Sequence, residues 1–374
     1  MSGHAPLRVL QLCAPARAGG LETVVRQLAV GLRAQDIDAQ VAVVLDPAEA
    51  DAHPFAGTLE MEGVPVHRVV VGGRGYRDER AMVARIMGDM NAQVLHTHGY
   101  RCDVIDGPVA RQHDVRHAVT LHGFTARNWR GRLYEWIQVR AAARADAVIV
   151  VSKVIERRVR AAGGDSRVHL LRNAMRAPEA PADRDTARRI LGVAGDLPVI
   201  GWVGRLSREK GPDLLLDAVA RLRARAQVVV IGDGPMRSLL AERARALGLD
   251  AVVSFAGLHD NAARLFAAFD VLALTSRTEG TPMVLLEAMW AGVPIVATRV
   301  GGVPDILDDA SAHLPTTDPL AIAAALDAAL AQPTEGMLRS GRALERVQHD
   351  HDLQSWIAAH ADIYRRIISS GATS

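Results

Sequence analysis

A repeated alternation constrains this chain more than any other feature. Short apolar strands and amphipathic helices follow one another in two cycles, interrupted once by the proline-containing stretch Met175–Asp185 (MRAPEAPADRD). In the first cycle the expected strands are Leu7–Leu12, Gln40–Leu45, Val66–Val71, Val94–His98, His117–His122, Ala147–Val151 and Val168–Leu171. Helices are expected at Thr23–Leu32, Asp78–Met90, Asp103–Gln112, Asn128–Ala145 and Lys153–Ala162. Near-continuous apolar strands alternating with helices belong to parallel sheets covered on both faces. The second cycle has strands at Pro198–Val203, Val228–Ile231, Val252–Ala256, Val271–Leu274 and Pro294–Thr298. Its helices are Pro212–Arg223, Met236–Leu247, Asn261–Phe269, Met283–Ala291, Leu320–Ala331 and Met337–Val347. The chain of 374 residues closes on an amphipathic helix, Asp352–Ile368. Two α/β doubly wound domains follow, 1–174 and 175–354, with 355–374 as a separate closing helix.

The densest local signal is Ser276–Gly302 (SRTEGTPMVLLEAMWAGVPIVATRVGG). Glu279 sits where a strand ends, Gly280-Thr281-Pro282 turns, and a helix begins at Met283 with Glu287 further along it. Open α/β sheets bind ligands at this edge. The free N–H groups of a helix start favour an anion such as phosphate. The two carboxylates are then suited to hydroxyl groups, since an ionised carboxylate only accepts hydrogen bonds. The alternative is two surface glutamates on an ordinary strand–turn–helix.

Three other stretches fit the same chemistry. Gly19-Gly20-Leu21-Glu22 is a glycine turn at a helix start. Gly204-Arg205, followed by Lys210-Gly211, places a planar guanidinium and a compact ammonium between a strand and a helix. Lys153 and Lys210 are the only lysines among 44 basic residues, so a lysine here is informative. Gly232-Asp233-Gly234-Pro235 and Phe255-Ala256-Gly257-Leu258 are further loops at strand ends. The dinucleotide fingerprint GxGxxG is absent after the first strand; Gly232-Asp233-Gly234 begins such a pattern, but Arg237 occupies its third glycine position.

Glu279 and Glu287, with Gly204-Arg205, Lys210-Gly211 and the glycine loops, resemble the E-x7-E and GR-x4-KG elements of the GT4 family. These are retaining nucleotide-sugar glycosyltransferases of the GT-B fold. The resemblance spans nearly the whole chain. It implies two Rossmann-like domains facing a cleft, with the C-terminal helix crossing back onto the first. It implies transfer of a sugar from a UDP- or GDP-sugar to a hydroxyl acceptor, in bacterial glycan, glycolipid or glycosylated-metabolite synthesis. Glu279 would grip sugar hydroxyls and Glu287 the ribose. Arg205, Lys210 and the backbone amides of Thr281, Met283 and Val284 would hold the diphosphate, next to Gly280. Gly19 and Gly20 would lie near the phosphates, and Gly234 and Leu258 near the base. His122, in Thr120-Leu121-His122, would support the reacting sugar. Asp305 stands where the family more often has glutamate, and its shorter reach keeps it out of this set.

The implied catalytic group is therefore His122, Glu279, Arg205 and Lys210, with no metal and no cofactor. Metal-dependent sugar transferases of the other major fold use D-x-D at a strand end. Here Asp183-Arg184-Asp185 falls in the linker and Asp36-Ile37-Asp38 in a helix–strand loop. His96 and His98 share a strand face without an evident third ligand, which leaves acceptor contact or packing. Cys13 and Cys102 give neither a disulfide framework nor a zinc pattern.

Charge is uneven: residues 1–176 carry +6 and the remainder −4. Between Arg127 and Ile137 arginines alternate with Trp129, Tyr134 and Trp136. That suits an anionic membrane surface, and it equally suits tryptophans packed inward under solvated arginines. The family's acceptors can be lipid-linked, so a lipid-linked glycan is a candidate partner. No nucleic-acid-binding pattern appears. There is no apolar run long enough to span a bilayer and no signal-peptide pattern at the start, so a cytoplasmic place, free or at the membrane's inner face, is expected. Two rival functions use the same donor site: a GT-B nucleotide-sugar epimerase, and a non-catalytic sugar-nucleotide-binding subunit.

Overall fold

A computed structural model describes residues 6–16, 19–124, 129–163, 165–177, 181–259 and 261–370. Arg127, Asn128 and residues 178–180 of the proline-containing stretch lie outside these residues. The chain divides into two compact units, Met1–Asn173 with Leu353–Ser374, and Ala174–Asp352.

The first unit holds seven parallel strands: β1 Arg8–Cys13, β2 Asp38–Leu45, β3 Val66–Val70, β4 Val94–His98, β5 Arg116–Leu121, β6 Ala147–Val150 and β7 Val168–Leu170. Their order is β3-β2-β1-β4-β5-β6-β7. The second unit holds five: β8 Val199–Val203, β9 Gln227–Ile231, β10 Val253–Gly257, β11 Val271–Leu274 and β12 Ile295–Ala297. Their order, β10-β9-β8-β11-β12, repeats the same doubly wound pattern. In each sheet the order reverses beside the unit's first strand, between β1 and β4 and between β8 and β11. Crevices for ligands form at those reversals.

Burial explains why these segments are strands. Val9, Leu10 and Leu12 of β1 and Ala118, Val119 and Leu121 of β5 are all without solvent exposure. A strand covered on both faces has no polar side, so it reads as an unbroken apolar run. The closing helix Leu353–Ser369 belongs to the first unit. It buries Trp356, Ile357, Ala361 and Tyr364 there.

The structure departs from the expected elements in a few places. The stretch expected as one helix over Asp103–Gln112 is two, Tyr100–Ile105 and Gly107–Gln112. Pro108 explains the break, because its ring cannot continue a helix through that turn. Three helices were not expected: Pro54–Met61, Arg184–Ile190 and the short Val303–Ile306. The second starts inside the supposed linker, where Asp183 caps it by accepting the N–H of Thr186 at 2.9 Å. The expected helix Asn261–Phe269 is a 3-10 helix over Ala262–Ala268.

Candidate active site

In the second unit, the loops leaving β8 and β11 flank the reversal of strand order. Buried Trp202 of β8 donates its indole N–H to Thr275 Oγ1 at 3.1 Å, and Thr275 Oγ1 donates to the Gly211 carbonyl at 2.7 Å. Arg277 completes the tie. Its guanidinium takes both oxygens of Asp213 at 2.8 and 2.7 Å and the Arg208 carbonyl at 2.8 Å. Such a two-pronged pair fixes distance and orientation together. The loop carrying Lys210 is thereby locked to the loop carrying Glu279.

Within that frame Lys210 Nζ donates to both carboxylate oxygens of Glu279 at 2.8 Å. Ser276 Oγ donates to Glu279 Oε1 at 2.6 Å. The Glu279 side chain is 4% exposed. A buried carboxylate is tolerable only when paired in this way. A third wall is Gly301, at φ 52°, where a Cβ would overlap the backbone of Glu279. Only glycine permits that left-handed turn and that approach together. Gly302 N then donates to the Glu279 carbonyl at 3.1 Å.

The helix Met283–Trp290 begins directly beyond. Pro282 at its N-cap offers no capping side chain; the N–H of Leu285 turns back to the Pro282 carbonyl at 3.1 Å, which leaves those of Met283 and Val284 without an intrahelical acceptor. Gly280 and Thr281 are buried in the turn before it. Glu287 differs sharply from Glu279. It is half-buried, and its carboxylate has no hydrogen-bond partner among the described residues. Burial pushes its pKa up to about 7. The unit therefore holds one satisfied carboxylate and one waiting for donors.

Arg205 is more loosely held. Its side chain is 61% exposed and meets Glu209 Oε1 at 3.1 Å, which also accepts from Ser207 Oγ at 2.6 Å. Gly234 lies against the backbone of Leu206, joining the loop after β9 to the loop of Arg205. Leu258 follows β10, the edge strand two places from β8, and is exposed.

In the first unit, Gly19 and Gly20 stand at the start of the helix Gly20–Arg33, after β1. The negative charge at that helix start is the chain's own. Buried Glu22 accepts the N–H of Ala16 at 2.7 Å. Across the reversal, β4 and β5 end in a histidine group. His96 joins Tyr364 of the closing helix through Nδ1 at 2.7 Å and Thr120 through Nε2 at 2.7 Å. His98 Nδ1 lies 3.0 Å from His122 Nε2. The other nitrogen of His98 is buried with no partner. A proton there would be an orphaned buried donor, so we assign the proton to His98 Nδ1, donating to His122. His122 then carries its own proton on Nδ1, which has no partner among the described residues. Burial lowers the pKa of His122 to about 4 and holds His96 and His98 well below the usual imidazole range. These rings are neutral at pH 7. Among the described residues no group of three or more His, Cys, Asp or Glu is arranged to hold a metal ion.

Two family models match this chain. Residues 19–174 match the glycosyl transferase 4-like domain, and residues 183–343 match glycosyl transferases group 1. The chain belongs to the GT4 family of glycosyltransferases. A D-inositol 3-phosphate glycosyltransferase of Saccharomonospora viridis is 34% identical over 209 residues, 51% of this chain and 48% of that protein. One from Mycobacterium tuberculosis is 39% identical over 137 residues, 34% of this chain and 28% of that protein. The matched stretch thus spans about half or less of these curated relatives. Among solved structures, Anabaena HepE in complex with UDP-glucose superposes with TM-score 0.83 at 22% identity, covering 98% of this chain and all of that one. WaaG, a glycosyltransferase involved in lipopolysaccharide biosynthesis, gives 0.73 at 17%, covering 96% and 99%. These likenesses establish the GT-B fold of the GT4 chain.

Residues important to this GT4 site that the sequence reading did not assign are Arg277, Asp213 and Thr275, which hold the loops, and Ser276, which holds Glu279. They act through contacts across 64 residues or more, apart from Ser276. Only the presence of Ser276 three residues before Glu279 was readable as a local signal.

Proposed function

We propose that this protein moves a sugar from a UDP- or GDP-sugar to a hydroxyl acceptor, with retention at the anomeric carbon and without a metal cofactor. The observation that carries this reading is the pairing of satisfied Glu279 with unsatisfied Glu287 beside an uncapped helix start and two cations. A diphosphate meets Lys210, Arg205 and the N–H groups of Thr281, Met283 and Val284. Ribose hydroxyls donate to Glu287. Sugar hydroxyls compete with Lys210 and Ser276 for the oxygens of Glu279. When the sugar arrives, Lys210 can turn from Glu279 to the leaving phosphate, placing positive charge where negative charge develops.

His122 keeps the role that the family resemblance gives it, support of the reacting sugar, with its Nδ1–H as the donor. A neutral imidazole suits that role, because it donates without adding charge. UDP is the first donor base to test, since a structural neighbour is described in complex with UDP-glucose. The curated relatives are named for an inositol phosphate, so phosphorylated polyols join lipid-linked glycans as acceptors to test. The reading places the enzyme in the cytoplasm, where nucleotide sugars are made.

Calorimetric titration with UDP, GDP and their glucose conjugates, followed by a transfer assay with an anomeric readout, tests the reading. Binding of one diphosphate family that is lost in Glu287→Ala and Lys210→Ala is expected. Absence of binding to every nucleotide sugar overturns it, as does an inverted product. An epimer formed from UDP-GlcNAc alone would favour the epimerase instead.

A further inference from the structure

A second cluster of cations lies in the first unit, between the helices that follow β4 and the helix that follows β5. A cavity of about 300 Å³ is lined by Arg111, Arg140, Arg144 and Trp136, with Asp103 at its wall. None of these three arginines has an ion-pair partner among the described residues. Four other arginines of this unit are paired, Arg101 with Glu79, Arg116 with Asp146, Arg158 with Glu135 and Arg160 with Glu156. Three unpaired guanidinium groups around one depression repel each other, and an anion placed among them removes that repulsion.

The cavity is partly organised for such a guest. The Arg140 guanidinium lies 4.9 Å from the centroid of the Trp136 ring, so the face of the indole steadies it. Asp103, the single carboxylate in the lining, is buried and accepts from Gln138 Nε2 at 2.7 Å. Burial raises its pKa to about 7, so its charge opposes an anion less than a free carboxylate would. Planar guanidinium forks match tetrahedral oxyanions.

We propose that this cavity binds a phosphoryl group, carried as a phosphate mono- or diester. It is separate from the sugar-transfer site. Arg111 and Arg144 precede the first residues of β5 and β6, whereas His122 follows the last residue of β5. The arginines therefore mark the opposite edge of the sheet. The phosphate has two available sources, a soluble ester or a lipid headgroup. The lipid source draws on the helix Trp129–Ala142, which exposes Trp129 by 70%, Leu133 by 45% and Trp136 by 52%. With Arg140 these residues fall at helical spacings of four, three and four, so they form one stripe running into the cavity.

The experiment uses the full chain in two arms. One is co-sedimentation with vesicles of equal phosphatidylglycerol and phosphatidylcholine, against phosphatidylcholine alone. The other is titration with glycerol phosphate, read by tryptophan fluorescence. The variants are the pair Arg140→Gln with Arg144→Gln, and Arg132→Gln, an exposed arginine on the same helix outside the cavity. The pair is expected to lose binding by about tenfold or more, while Arg132→Gln stays near wild type. A response to the mixed vesicles alone identifies lipid-borne phosphate, and a response in solution identifies the soluble ester. No binding in either arm overturns the proposal, and so do equal losses in Arg132→Gln and the pair. Circular dichroism and melting midpoints of the variants separate loss of the site from loss of folding. Nucleotide-sugar binding is not an arm of this test, so its outcome is independent of the sugar-transfer reading.

Discussion

Lys210 Nζ sits 2.8 Å from each carboxylate oxygen of Glu279, across 69 residues of sequence. The two residues that the motifs suggest for separate tasks, one for phosphate and one for hydroxyls, satisfy each other in the unliganded protein. Each is therefore the condition for the other's burial. Lys210→Met leaves Glu279 with only Ser276 as side-chain donor and is expected to cost about 1–3 kcal/mol of stability in the second unit. Glu279→Gln combined with Lys210→Met should cost less than the sum of the single changes. Urea unfolding of the four proteins in the cycle measures this. Strict additivity would mean the pair is not coupled. Transfer activity of Lys210→Met is expected to fall by about a hundredfold or more.

Glu287 gives a prediction of opposite sign. Its pKa is raised from 4.5 to about 7, so the folded protein holds a proton that the unfolded chain has released. Folded stability from this group is therefore full below pH 4.5 and is lost as pH rises to 7. Glu287→Gln is expected to stabilise the unliganded protein at pH 8 by roughly 1–3 kcal/mol. The gain should vanish near pH 4.5. The same change should weaken nucleotide-sugar binding by about tenfold. Melting curves at the two pH values and a titration at pH 8 check both halves. A destabilised variant at pH 8 would show that Glu287 is held by partners and is not waiting for them.

The buried histidines make the first unit acid-sensitive. Burial lowers His117, His122 and His360 from 6.5 to about 4 and also holds His96 and His98 well below 6.5. As pH falls below 6.5 the unfolded imidazoles take protons and the folded ones do not. Stability should drop between pH 6.5 and 4 by roughly 1.4 kcal/mol per pH unit for each fully buried ring. Urea midpoints at pH 7 and pH 5 measure the slope, and His117→Gln should flatten it. An unchanged slope would mean that His117 is protonated in the fold.

Gly301→Ala tests how Glu279 is positioned. The added methyl would overlap the Glu279 backbone at a φ of 52°, which L side chains rarely adopt. The expected cost is about 1–3 kcal/mol, with a loss of nucleotide-sugar affinity because Glu279 must move. Gly292→Ala is the control: its φ is 64° but its Cβ would meet nothing within 4 Å. Equal affinity losses in the two variants would indicate general strain and not displacement of Glu279.

Most of the strand set was legible because parallel strands buried on both faces are local apolar runs. Val94–His98 and Val271–Leu274 have the bounds that the pattern suggests. The break at Pro108 was written in the chain but was outweighed by apolar residues at helical spacing on both sides of it. Arg184–Ile190 was hidden because a short, charged helix against a surface has almost no apolar face to reveal it.

The site divides along the same line. Sequence by itself singled out the residues proposed for the chemistry, Glu279, Glu287, Arg205, Lys210 and the glycine loops, because residue type and spacing along one strand–turn–helix are local properties. It also determined family membership. Tertiary structure alone decided that Lys210 and Glu279 are paired while Glu287 is unpaired. It likewise decided that Arg277 clamps two loops through Asp213, that His98 and His122 share a ring-to-ring hydrogen bond, and that three arginines surround one cavity. Each of these depends on which loops parallel strand order brings side by side. Burial then fixes the charge state of what it encloses, and no stretch of chain records its own burial.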